Sequence, residues 1–217
     1  MRTSVGVILC ALFAACETRT VSPTRVAMSD SLLVKVPDDS GTPLSECSGR
    51  PGYFGGTDVA DREGWYGKHL LVLGERPLCA SSTASSEVYR FTWLPSFDPS
   101  VVVRVERKSE QYVLEAKTET GAGGYDPGQL SRSTVITLTD PERAELARLL
   151  EAWQFWEQPT EQPSFGLDGS QWILEGVAEG RYHVVDRWSP THDGPLAKYR
   201  VLGEWLLQKS GLATGYY

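Results

Sequence analysis

Trp172-Ile173-Leu174-Glu175-Gly176-Val177-Ala178-Glu179-Gly180-Arg181-Tyr182-His183-Val184-Val185-Asp186-Arg187-Trp188 is the stretch on which the fold turns. Two runs rich in β-branched and aromatic residues flank a short Ala-Glu-Gly linker. A linker that short cannot hold a crossover, so the strands must be antiparallel neighbours. A three-residue turn with Gly180 left-handed pairs Glu175 with His183; it sets Trp172, Leu174, Tyr182 and Val184 on the core face. A two-residue turn instead moves His183 onto the Trp172–Leu174 face. We prefer the first because it gathers the aromatics.

Upstream, Tyr89, Phe91 and Trp93 alternate with Arg90 and Thr92, and Pro95 to Pro99 breaks the run. Val101–Val105, Tyr112–Thr118 and Ser133–Leu138 read as further strands with one wet face. Thr139-Asp140-Pro141-Glu142 then combines a Thr cap, an early proline and a Glu three residues after the cap. Leu146, Leu149, Leu150 and Trp153 continue it as an apolar stripe, giving a helix over about 139–156. A last helix over about 195–209 turns Leu196, Tyr199, Leu202, Trp205 and Leu206 inward, and Gly211 closes it. The order strands, helix, hairpin, helix predicts an α+β domain: an antiparallel sheet with two covering helices. Nearer the N-terminus, His69–Leu73 reads as a buried strand ended by Gly74, and Ser31–Val36 as a short strand.

The 217 residues are 41% hydrophobic and 23% charged, with a net charge of −7. That composition excludes disorder and argues against nucleic acid as a partner. The first residues carry a different signal. Met1-Arg2-Thr3 is a basic start, and Ser4–Ala15 is apolar but too short to span a bilayer, which suits a signal peptide over 1–15. Leu12-Phe13-Ala14-Ala15-Cys16 resembles a bacterial lipobox, with Phe13 where Leu is usual. The resemblance implies cleavage before Cys16, lipidation of that cysteine and anchoring in the envelope membrane, with residues 16–30 as a polar tether and 31–217 as one globular domain. Glu17 after the cysteine points, by similarity to enterobacterial sorting, to the outer membrane facing the periplasm.

Cys10 leaves with the signal and Cys16 takes lipid, so Cys47 and Cys79 remain as a disulfide pair in an exported protein. Two lone cysteines make a poor zinc site.

The polar residues that gather on the hairpin are His183, Asp186 and Glu175, with Asp168 and His192 nearby. In the preferred register Glu175 holds the His183 imidazole, as a general base or metal ligand requires. The bland reading is a pair that ties two strands together. His183 and His192 as metal ligands are separated by a proline turn, an unspecific spacing. Gly121–Gly128 precedes a strand and lacks the following Lys, so it is a hairpin loop and no phosphate cradle. No nucleophile elbow is present. Of seven tryptophans, Trp153, Trp172 and Trp205 fall on core faces, which leaves Trp65 and Trp188 as candidate exposed platforms. Trp188, Arg187 and Tyr125 are the candidate ligand-binding set.

Gly121–Gly128, Phe155-Trp156, Gly166-Leu167-Asp168-Gly169-Ser170-Gln171-Trp172-Ile173-Leu174-Glu175-Gly176 and Tyr182–Pro190 together resemble a family of small, uncharacterised bacterial exported proteins and lipoproteins. The resemblance covers about residues 89–212 and implies relatives without a reaction. The sequence therefore reads as a non-enzymatic envelope lipoprotein that needs no cofactor and binds an envelope protein or serves a structural role. The alternatives are a module for cell-wall glycan or another small ligand, and a hydrolase at His183, Asp186, His192 and Glu175.

Overall fold

The computed structural model describes residues 42–47, 52–54, 60–121, 123–162, 166–212, 215 and 217. All of them fall in the unit Pro37–Tyr217. The signal segment, Cys16, the tether and the expected strand at 31–36 lie outside the described residues.

In chain order the elements are β1 (Thr42–Pro43), α1 (Leu44–Cys47), α2 (Ala60–Trp65), α3 (Gly67–Val72), α4 (Leu78–Ser81), β2 (Val88–Pro95), β3 (Val101–Lys108), β4 (Gln111–Glu119) and β5 (Leu130–Thr137). Then come α5 (Asp140–Trp153), a 3-10 turn at Phe155–Glu157, β6 (Ser170–Ala178), β7 (Arg181–Trp188) and α6 (Ala197–Ser210). The strands form one antiparallel sheet in the order β1-β7-β6-β2-β3-β4-β5. The fold is α+β, as the strand–helix–hairpin–helix order requires. Among the described residues no helix is long and apolar enough to cross a membrane.

Both long helices cover one face. Leu146, Leu149, Leu150 and Trp153 of α5 and Tyr199, Leu202, Leu206 and Leu207 of α6 pack with Phe91, Val103, Leu114, Trp172, Leu174 and Val185 of the sheet. The capping box that starts α5 is complete: Glu142 N–H donates to Thr139 Oγ1, and Thr139 N–H donates to Glu142 Oε2 at 2.8 Å. The helix ends at Trp153, because Gln154 turns left-handed (φ 56°) and leads into the 3-10 turn.

The other face is covered by the segment from β1 to α4. Phe54, Leu70, Leu73 and Leu78 pack on Val88, Val102, Ile173, Val177, Tyr182 and Val184. Cys47 and Cys79 lie at disulfide distance, with Cα atoms 5.3 Å apart. Here the expected strand at His69–Leu73 is a helix instead. An apolar run of four or five residues does not fix its period. Tyr66, His69, Leu70 and Leu73 face inward at helical spacing while Leu71 is exposed, so a helix buries what a strand would leave half outside.

The hairpin takes the two-residue turn. Ala178 pairs with Arg181, Gly176 with His183 and Glu175 with Val184. Glu179 (φ 52°) and Gly180 (φ 74°) are both left-handed, the type I′ pattern whose twist matches that of the strands it joins. The preferred three-residue turn is thereby corrected, and every β7 side chain moves to the opposite face.

Candidate functional site

That register separates the residues the sequence placed together. Glu175 points into the cover face and is fully buried. Arg90 Nε and Nη2 donate to its two oxygens at 2.7 and 2.8 Å, and Tyr182 Oη donates at 3.0 Å. His183 points into the helix face, where its Nε2 meets the Gln158 carbonyl at 2.9 Å and its ring lies 5.1 Å from Phe155. Asp186 accepts from Gln171 Nε2 at the start of the hairpin. His192 is exposed and pairs with Glu204 at 3.1 Å. The expected Glu175–His183 pair does not form, and the acid–base set is spread over separate environments. Among the described residues no three His, Cys, Asp or Glu side chains are placed to hold a metal.

The buried Arg90–Glu175 pair belongs to a network that runs across the sheet. Glu175, Arg90, Arg104 and Glu115 lie opposite one another on four adjacent strands. Glu75, from the cover, joins them: Arg104 Nε donates to it at 3.0 Å and Lys117 Nζ at 2.8 Å, and Arg90 Nη1 lies 3.7 Å away. Burial pushes the Glu75 carboxyl up, but Arg104, Lys117 and Arg90 outweigh it and hold it below the usual carboxylate value. Arg104 Nη1 also donates to Glu106, which Arg76 meets at 2.6 Å, so four cations face four carboxylates. This arrangement holds the cover on the sheet.

Two of the three expected ligand-binding residues do meet. Tyr125 and Trp188 line one concavity of about 150 Å³ with Trp65, Leu167 and Gln171, at the end of the sheet where β2 and β7 finish. Tyr125 is 77% exposed, Leu167 98% and Trp65 40%. The Trp65 and Tyr125 rings meet edge to face at 5.1 Å. Glycines seat both indoles: a Cβ on Gly124 would lie 2.7 Å from Trp65 Nε1, and one on Gly169 would lie 2.8 Å from Trp188 Cζ2. Arg187 is not part of this site. It is buried on the helix face, where Nη2 donates to the Pro159 carbonyl at 2.7 Å and Nη1 to those of Thr160 and Asp186 at 3.2 and 2.7 Å. Its role is to tie the 159–160 segment to β7.

The loop that carries Tyr125 is held from α3. Lys68 Nζ donates to the Tyr125 carbonyl at 2.9 Å and sits 4.3 Å above the Trp65 ring. His69, fully buried, places Nε2 3.3 Å from the Gly124 carbonyl and Nδ1 2.7 Å from Glu119, which also accepts from Ser100 Oγ at 2.6 Å. A carbonyl only accepts, so the ring proton there belongs to His69, and the imidazole acts as a clamp on the loop. Lys68, His69 and Leu167 were missed in the sequence. Leu167, a large apolar residue inside Gly-Leu-Asp-Gly turn chemistry, was the available signal.

A larger hollow of about 670 Å³ opens at the opposite end of the strands, over Tyr89, Tyr112 and Trp156. There Arg181 stacks on Trp156 at 4.2 Å and Arg143 lies 5.6 Å from the Tyr112 ring, whose hydroxyl donates to Glu87 at 2.6 Å. The smaller concavity is set apart by large apolar side chains that stand out into solvent, Tyr125 and Leu167 above all. No family model matches this chain, and no curated protein matches it.

Proposed function

We propose that this chain is a lipid-anchored envelope protein whose domain, without catalysing a reaction, binds a protein partner through the Trp65–Tyr125–Leu167–Trp188 concavity. The observation that carries the reading is the exposure of Tyr125 and Leu167 beside two glycine-seated indoles. Large apolar side chains clustered at the surface mark interaction sites, and Tyr and Trp are the residues on which binding energy concentrates. The volume, below the roughly 300 Å³ where small-molecule pockets begin, suits a partner's side chain better than an enclosed ligand. The lipobox-like Cys16 and the resemblance of residues 89–212 to exported lipoproteins support an envelope setting.

The test is site-specific photo-cross-linking from positions 125 and 167 in intact cells, followed by affinity measurement with the captured protein. Tyr125→Ala and Leu167→Asp should each weaken binding about tenfold or more with unchanged melting temperature. A captured protein whose affinity ignores both substitutions would sink the reading. A second reading rests on the open Tyr125 ring, which can stack on a sugar. Binding of soluble cell-wall glycan that is lost in Trp188→Ala would favour it over a protein partner.

A further inference from the structure

The two edges of the sheet are built differently. At one, β7 is closed by β1, a two-residue strand ending in proline, and by a bridge between Glu161 and Asp186. At the other, β5 is terminal, and among the described residues nothing pairs with its outer side. Seven of its eight residues are exposed, Thr134 alone being half-buried. Val135 is 64% exposed and Ile136 37%. An open, proline-free, β-branched edge is a template for another strand.

We propose that the β5 edge pairs with β5 of a second copy of this chain, antiparallel about a two-fold axis at Val135. The register follows from three constraints. Thr118 pairs with Arg132 but Glu119 with Leu130, so Ser131 is an extra residue and the regular ladder begins at Arg132. Arg132 and Thr134 donate to the carbonyls of Leu212 and Ser210 at the end of α6, so even-numbered residues face the helix layer. Antiparallel strands related by a two-fold keep both helix layers on one side, so even residues must meet even and odd must meet odd. A centre at Arg132 sets two guanidinium groups against each other, and a centre at Ser133 runs the bulge into Val135. A centre at Thr134 places Arg132 against Ile136, and a centre at Ile136 keeps only residues 135–137 of the strand in the new ladder. A centre at Val135 pairs Val135 with itself, Thr134 with Ile136 and Ser133 with Thr137. That register joins β-branched residues to one another and opposes no like charges. The strand is its own complement, which is why the occupant is a second copy.

The experiment is analytical ultracentrifugation of the full chain in detergent, beside Val135→Lys and Val135→Cys. Val135 lies opposite Glu115 within the sheet, so a lysine there suits the monomer while placing two ammonium groups face to face in the dimer. The parent should self-associate, and Val135→Lys should weaken this about tenfold or more, with no loss of melting temperature at dilutions where both chains are monomeric. Directly opposite Cα atoms in an antiparallel pair are about 4.5–5.5 Å apart, within disulfide reach. Val135→Cys should therefore cross-link under mild oxidation above the level of the parent. A parent that stays monomeric to about 1 mM, or a dimer indifferent to Val135→Lys, overturns the proposal.

Discussion

Arg90→Met should be among the most damaging single substitutions in this domain. The change keeps the length of the side chain and removes the guanidinium that meets both oxygens of Glu175, a carboxylate with no exposure. Glu175 would keep only the Tyr182 hydroxyl at 3.0 Å. Breaking a buried pair from one side costs about 3–5 kcal/mol, because the remaining charge is left uncompensated. At about 2–4 °C per kcal/mol for a domain of this size, the melting temperature should fall by roughly 6–20 °C. Arg90→Met with Glu175→Leu removes both charges, and the double variant should recover at least half of the loss. Urea unfolding followed by far-UV circular dichroism measures all three chains. If the single change costs less than about 1 kcal/mol, or the double is no better than the single, the pair does not carry the energy assigned to it.

Cys47→Ser with Cys79→Ser should lower stability by about 3–4 kcal/mol by the chain-entropy estimate for a separation of 32 residues, read by the same urea unfolding; a change below about 1 kcal/mol would show that the cover closes without it. Lys209 and the Thr139 hydroxyl and amide hold the Glu142 carboxyl down to about 2, so its stabilising effect is present above the ordinary value of 4.5 and lost as pH falls towards 2. Glu142→Gln should therefore melt below the parent at pH 7 and level with it near pH 2, and a pH-independent gap would contradict the assignment. Gly203→Ala should cost about 1–3 kcal/mol in thermal unfolding, since its Cβ would run into Trp172 and lie 2.9 Å from Phe91 Cζ.

What the sequence made legible divides along physical lines. The α5 cap depends on residues three apart, and the strands on a period of two, so local reading suffices for both. Register depends on one residue of turn length. Glu179, a non-glycine at φ 52°, hid the type I′ turn that puts His183 and Glu175 on opposite faces. Arg90, Arg104 and Lys117 alternate with apolar neighbours and read as a wet face. Their partners lie far away in the chain, 85 positions for Arg90–Glu175 and 42 for Lys117–Glu75, where no local pattern reports them. Tyr125 and Trp188 were legible as aromatics left over once the core stripes were assigned. Arg187 was not, because its three carbonyl partners come from irregular backbone and its neighbour.

The charge network and the concavity have one cause. Strands of an antiparallel sheet with a solvated face can carry charges there, and this sheet is then covered on that face by a turn-rich segment with short helices. Apolar contact is non-directional, so Phe54, Leu70, Leu73 and Leu78 alone would allow the cover to slide over the sheet. The Cys47–Cys79 disulfide ties the cover to itself, and directional contacts fix it to the sheet through Glu75 at the middle strands and through His69 on Glu119 at the end of β4. The last of these lies beside the loop that bears Tyr125, and the same helix reaches that loop through Lys68. Trp65 belongs to the cover, whereas Tyr125 and Leu167 lie on loops of the sheet and Trp188 ends β7. Fixing the cover laterally is therefore what fixes Trp65 against Tyr125, and a weakened Arg90 or Glu75 should loosen the binding surface without any of its own residues being changed.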